Sequence, residues 1–191
     1  MKKVLDLLQN GNEEEKESAA ARLMEQGESA LPGLEAVLAS GNPDARWWAV
    51  RALAEIPGST AVRHLVTALK DPDEDLAVCA AMGLGERREG SPKAVKGLLA
   101  LLQRPSTYVA RHVGDALSKI GEPAVPGLIT ALEDPIPSVR VQAARALVRI
   151  ESHQAIPALI QALDDPEAAV EYYAWEALQR MGVGTTLFFK P

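Results

Sequence analysis

The chain has one cysteine, Cys79, so it forms no internal disulfide and no zinc site built from paired cysteines. Nothing in the sequence partners this thiol, which reads as a small buried or half-buried side chain and not as a nucleophile. Histidine is almost as scarce. His64, His112 and His153 stand in separate stretches and are followed by Leu65, Val113 and Gln154, so no His-Glu pair exists; no metal, cofactor or catalytic residue is expected. Aromatic residues make up 4% of the chain, which requires an aliphatic core. Basic charge is in deficit: a net charge of −6 and a pI near 5.2 argue against general nucleic-acid binding, which rests on Lys and Arg neutralising phosphates. No apolar run approaches the roughly 18 residues that span a bilayer, and Asp6 interrupts the start where a signal peptide needs an apolar run. A cytoplasmic protein without membrane contact is expected.

What the chain has in quantity is repetition. Leucines 15 residues apart recur six times, at Leu8/Leu23, Leu38/Leu53, Leu69/Leu84, Leu102/Leu117, Leu132/Leu147 and Leu163/Leu178. Successive copies lie 30, 31, 33, 30 and 31 residues apart, the spacing of a repeat array in which each unit contacts only its neighbours. With the first leucine of each pair as reference, the third residue after it is Gly11, Gly41, Pro72, Pro105, Pro135 or Pro166, and each stops a helix. Asp71, Asp134 and Asp165 precede their prolines and are placed to cap or turn the next helix. That next helix, called the first helix of its copy, is apolar or small on one face, as in Val139, Ala143, Ala146, Leu147 and Ile150. Pairs such as Ala19-Ala20, Ala80-Ala81 and Ala143-Ala144 are suited to let neighbouring helices approach closely.

A second helix in each copy carries Leu31/Leu34, Val62/Leu65, Val95/Leu98, Val125/Leu128 and Ile156/Leu159, with Pro32, Pro126 and Pro157 in its first turn, where a missing N–H costs little. Short turns at Gly27-Glu28, Pro57-Gly58, Gly121-Glu122 and Glu151-Ser152 predict antiparallel neighbours. The third copy has a longer connection over 85–92 and places Arg87 where the others mostly have Ile or Met, so a looser, exposed loop is expected there. Residues 2–9 and 168–181 read as half-units that cap the ends. The tail over 182–191 is not helical in pattern, and Phe188 and Phe189 are expected to fold back near Trp175, the alternative being contact with another chain.

The pattern Asp-Pro-x-x-x-Val-Arg-x-x-Ala-Ala-x-Ala-Leu at 134–147, with the helix type Ala-Val-Pro-x-Leu-Ile-x-Ala-Leu at 124–132 and 155–163, resembles HEAT-like repeats of the phycobilisome-lyase type. The resemblance implies an all-α fold, a right-handed α-α superhelix of about 12 antiparallel helices. It would have five full repeats and a half-repeat at each end over 1–182, with 183–191 as a tail and candidate cap. The arginine after the valine is kept as Arg140 and Arg46, with Lys16 in the first copy, whereas Ala77, Ala110 and Glu171 depart from it, so a continuous Asp/Arg ladder is not expected. Proteins of this type include scaffolds, adaptors, bilin lyases, iron hydroxylases and DNA glycosylases, and a shared fold does not choose among them.

In such arrays the second helices line the concave face. Its exposed positions here include Lys2, Lys3, Asp6, Arg63, His64, Thr67, Lys70, Lys96, Gln103, Thr130, Glu133, Gln161 and Asp164, with the positive charge toward the N-terminal end and middle. A protein or peptide partner with an acidic segment facing Arg63 to Lys96 is the leading expectation, against an ordinary solvated surface. A second candidate surface, on the convex side, is aromatic: Trp47-Trp48 and Tyr172-Tyr173 occupy equivalent positions, with Trp47 and Tyr172 pointing outward. The alternative function is a bilin lyase or pigment-handling subunit, which needs a tetrapyrrole pocket. A DNA glycosylase ranks third, because it needs a strongly basic groove.

Overall fold

The computed structural model describes residues 1–40 and 42–183, which are helical throughout apart from short turns. Gly41, one of the expected helix breakers, and the tail segment carrying Phe188 and Phe189 lie outside the described residues. Among the described residues twelve α-helices divide between two compact units, 1–87 and 88–191. The first unit holds α1 (Lys2–Asn10), α2 (Glu13–Gln26), α3 (Leu31–Leu38), α4 (Pro43–Glu55), α5 (Ser59–Ala68) and α6 (Glu74–Glu86). The second holds α7 (Pro92–Leu102), α8 (Thr107–Ile120), α9 (Val125–Ala131), α10 (Pro137–Ile150), α11 (Ile156–Gln161) and α12 (Ala168–Arg180). Within the first unit the even-numbered helices pack in one layer and the odd-numbered in another; in the second, α8, α10 and α12 form one layer, and α7 packs on α9 in the other.

Helix starts follow from local chemistry. Pro43, Pro92 and Pro137 open α4, α7 and α10 at the position whose N–H has no intrahelical partner. Asn12 caps α2 by accepting the Glu15 N–H at 3.0 Å while its own N–H donates to the Glu15 carboxylate at 2.9 Å, a capping box. Asp71, Asp134 and Asp165 shape the turns and do not cap: each accepts the N–H two residues on, from Asp73, Ile136 and Glu167.

The same aspartates tie one copy to the next. The Arg140 guanidinium grips Asp165 through two parallel bonds of 2.8 and 2.9 Å and donates a third, 3.0 Å long, to the carbonyl of Asp134. Arg46 pairs with Asp71 in the equivalent way. In the first copy Lys16 is buried and reaches Asp44 at 3.3 Å; Ser40, which stands in the second copy at the place of Asp71, Asp134 and Asp165, has a buried hydroxyl with no hydrogen bond among the described residues. Gln103 substitutes for the arginine at Asp134, donating at 2.6 Å.

Close approach of the first helices rests on small side chains. Eleven residues after each reference leucine stand Ala19, Ala49, Ala80, Val113, Ala143 and Ala174, all fully buried. One place further are Ala20, Val50, Ala81, Gly114 and Ala144, also buried. A Cβ on Gly114 would sit 2.8 Å from the Gln142 carboxamide oxygen of the next first helix, so a larger residue there has to displace the Gln142 side chain. In the last copy this place holds Trp175, 43% exposed. Most of the expected core leucines and valines are buried, Leu8, Leu34, Leu65, Leu98, Leu128 and Leu159 among them, whereas Leu38, Val62 and Leu163 are half-buried.

The expectation of a loose third-copy connection is corrected. Arg87 is half-buried and donates to the carbonyls of Ala54 (3.2 Å) and Ile56, so it satisfies acceptors at the end of α4. Glu89 accepts the Ser91 N–H, Ser91 caps α7 through the Ala94 N–H, and Gly90 lies so near Pro123 that a Cβ would come within 2.7 Å.

Two outcomes follow. Arg140→Ala leaves the half-buried Asp165 without its arginine and is expected to cost about 2 kcal/mol in denaturant unfolding. The Arg140 hydrogen bonds hold the Asp165 carboxyl below its ordinary range; a depressed folded pKa makes its stabilisation complete above about pH 4 and lost as pH falls through the folded value. Asp165→Asn should therefore flatten the acid limb of the stability–pH curve. Ala144→Leu should cost about 2 kcal/mol by overpacking, while the same change at exposed Ala21 in α2 stays within about 0.5 kcal/mol by the same measurement.

Candidate functional site

Once the first helices have buried one face against the second helices and their flanks against each other, the free surface with a regular pattern is the outer face of the second helices. In the first unit α5 presents Arg63 and Thr67, and Lys70 follows two residues after the helix; all three are exposed, and His64 is half-buried. Thr67 Oγ1 donates back to the Arg63 carbonyl at 2.9 Å, and the Arg63 guanidinium donates to Thr60 Oγ1 at 3.0 Å. Neither Arg63 nor Lys70 has a carboxylate partner among the described residues. Lys2 and Lys3 are exposed on α1, and Asp6 holds Asn10. Between them α3 offers only Pro32, Ala36 and Ala39 as exposed positions of this row, and Gly33 is packed by Leu5. The row of this unit thus carries four basic residues against one acidic residue.

The second unit has the opposite balance. Lys96 on α7 is exposed, but so are Glu133 after α9 and Asp164 after α11. Thr130 is exposed and its hydroxyl is turned to the Pro126 carbonyl at 3.2 Å; Gln161 is exposed, while Gln103 is taken up by Asp134.

The aromatic pairs separate. Trp48 is 7% exposed and belongs to the core, which corrects its assignment to a contact surface. Trp47 is half-buried, meets Trp48 edge to face at 5.1 Å, and the Arg51 guanidinium lies 5.8 Å from both rings, a cation–π arrangement. Tyr172 is 57% exposed as expected, and Tyr173 is half-buried against it at 5.3 Å.

The structure also brings together two residues that the sequence pattern assigns to different surfaces. Asp164 and Tyr172 line one open groove of about 500 Å³ with Leu163, Ala168, Glu171 and Trp175. Its signal in the sequence is Trp175, the only large aromatic side chain at a position that the other five copies keep small. A further feature invisible to the repeat pattern is the carboxylate of Asp115, which receives Arg145 and Arg149, each at 2.6 Å, and so fixes α8 to α10.

Burial pushes the Cys79 thiol up to about 11, a value that the nearby Arg51 lowers only in part, so the thiolate is scarce at neutral pH. Among the described residues no three His, Cys, Asp or Glu side chains are grouped to hold a metal ion, and no helix is long and apolar enough to cross a membrane.

Comparison with known structures agrees with this architecture. An archaeal HEAT-like repeats protein from Thermococcus onnurineus NA1 superposes with a TM-score of 0.63 at 16% identity, covering 94% of this chain and 79% of that one. The complex of CpcE and CpcF of phycocyanin lyase from Nostoc sp. PCC7120 gives 0.56 at 23% identity, covering 94% and 76%. A designed armadillo repeat protein in complex with the peptide (KR)4 gives 0.51 at 19% identity, covering 94% and 98%. These likenesses show the fold. No curated protein matches the chain. The family described as HEAT repeats matches residues 1–79, 62–126 and 125–187, nearly the whole chain, and the protein belongs to that family.

Proposed function

We propose that this protein is a non-catalytic interaction module that binds a protein or peptide partner through the outer faces of its second helices. The observation that carries the reading is the basic row of the first unit: Lys2, Lys3, Arg63 and Lys70 stand exposed on a chain of net charge −6, without carboxylate partners among the described residues. Charge left unpaired in a regular row on a rigid element favours a partner of opposite sign, mainly by speeding and orienting encounter. The small side chains of α3 in that row leave room for a backbone to lie close. A designed armadillo repeat protein of related fold is in complex with a peptide, in that case the basic (KR)4; the sign of the row here asks for an acidic segment.

Affinity purification from an extract of the native cell tests this directly. A protein partner held by the wild type is expected to be lost with Arg63→Glu and Lys70→Glu together, and to weaken steeply between low and high salt. Lys96→Glu, in the second unit, reports separately on whether the contact extends to that row. Partners retained equally by the double variant, at equal helicity and monodispersity, would refute the assignment.

A further inference from the structure

The groove on α12 differs from every equivalent place in the array. In the interior copies the residue twelve places after the reference leucine is no larger than valine and is buried; Trp175 occupies that place in the last copy and is 43% exposed. A further helix cannot approach this face as closely as the interior first helices approach each other. The groove is therefore shaped for something thinner than a helix. Its walls are apolar, Leu163, Ala168, Tyr172 and Trp175, and its two acidic residues, Asp164 and Glu171, have no ion-pair partner among the described residues.

We propose that this groove is a docking site for the segment Leu187-Phe188-Phe189-Lys190 of the same chain. Three observations select this occupant. The last described residues turn the chain back: Gly182 has φ +75° and the Val183 N–H donates to the Leu178 carbonyl at 2.9 Å, a Schellman ending. The reach suffices, because Trp175 lies eight helical residues before Val183, about 12 Å, and the five residues from 183 to 188 span up to about 17 Å when extended. The chemistry is complementary: the two phenylalanines of the segment suit an apolar wall with an exposed indole, and the charge of Lys190 beside them suits Asp164 and Glu171, which have no ion-pair partner among the described residues. This inference is independent of the basic row in the first unit.

The test uses the full-length chain labelled with ¹⁵N, in which the Trp175 indole N–H resonance is identified by its loss in Trp175→Phe. Phe188→Ala with Phe189→Ala is expected to shift that resonance and leave those of Trp47 and Trp48 in place, with helicity unchanged. Lys190→Glu should move it part of the way in the same direction. A synthetic peptide of residues 184–191, added in excess to the double-alanine chain, should return the resonance toward its wild-type position. An unmoved Trp175 resonance in the double-alanine chain overturns the proposal. So does a wild-type position that reverts on dilution, since that assigns the groove to the tail of a second copy.

Discussion

The first helices can stack only because the two positions at their mutual contact are held to alanine, glycine or valine, and most other features follow from that. Ala143 and Ala144 are fully buried without adding bulk, so the volume of the core comes from the leucines and valines between the layers. This is how a chain with 4% aromatic residues builds a close-packed interior. Backbones brought this near leave their turns little room, and the turns are fixed by aspartates that accept an N–H and an arginine of the preceding copy together. Arg140 does this with three hydrogen bonds, a geometry that a lysine cannot reproduce.

The division of labour between helices follows. Within each unit the middle first helix, α4 or α10, is committed on two flanks and one face, and ion pairs such as Asp115 with Arg145 and Arg149 take up polar side chains of the first helices. Second helices bury a narrower stripe and keep an outer face whose residues have few duties. Among the described residues Arg63 and Lys70 bind nothing acidic, whereas Gln103 is employed by Asp134. A rigid scaffold with a solvated charged row loses little conformational entropy when a partner arrives, which is the physical advantage of binding on helices and not on loops.

The repeat was legible because it depends on side-chain type at fixed spacing: leucine at the reference position, proline three places on, alanine at the contact. Helix positions, buried stripes and proline placement could all be read from it. Arg87 could not, since its value lies in the carbonyls of Ala54 and Ile56, more than thirty residues away, and a repeat pattern sees only an intrusive charge. Trp48 was misplaced for a related reason: a helical wheel puts it on a flank, but the size of an indole lets it reach the core from there. The groove beside Trp175 was half legible. The odd residue is plain in the alignment of copies, but the meeting of Asp164, Glu171 and Tyr172 around it needed coordinates.

The central claim is that the second helices recognise and the first helices hold. Backbone amide shift mapping with a purified partner puts it to the most direct test. The account predicts that the perturbed amides cluster on α1, α3 and α5, with Arg63, Thr67 and Lys70 among the largest changes. Perturbations centred on first helices, around Trp47 in α4 or Tyr172 in α12, with the α5 amides unmoved, would contradict it.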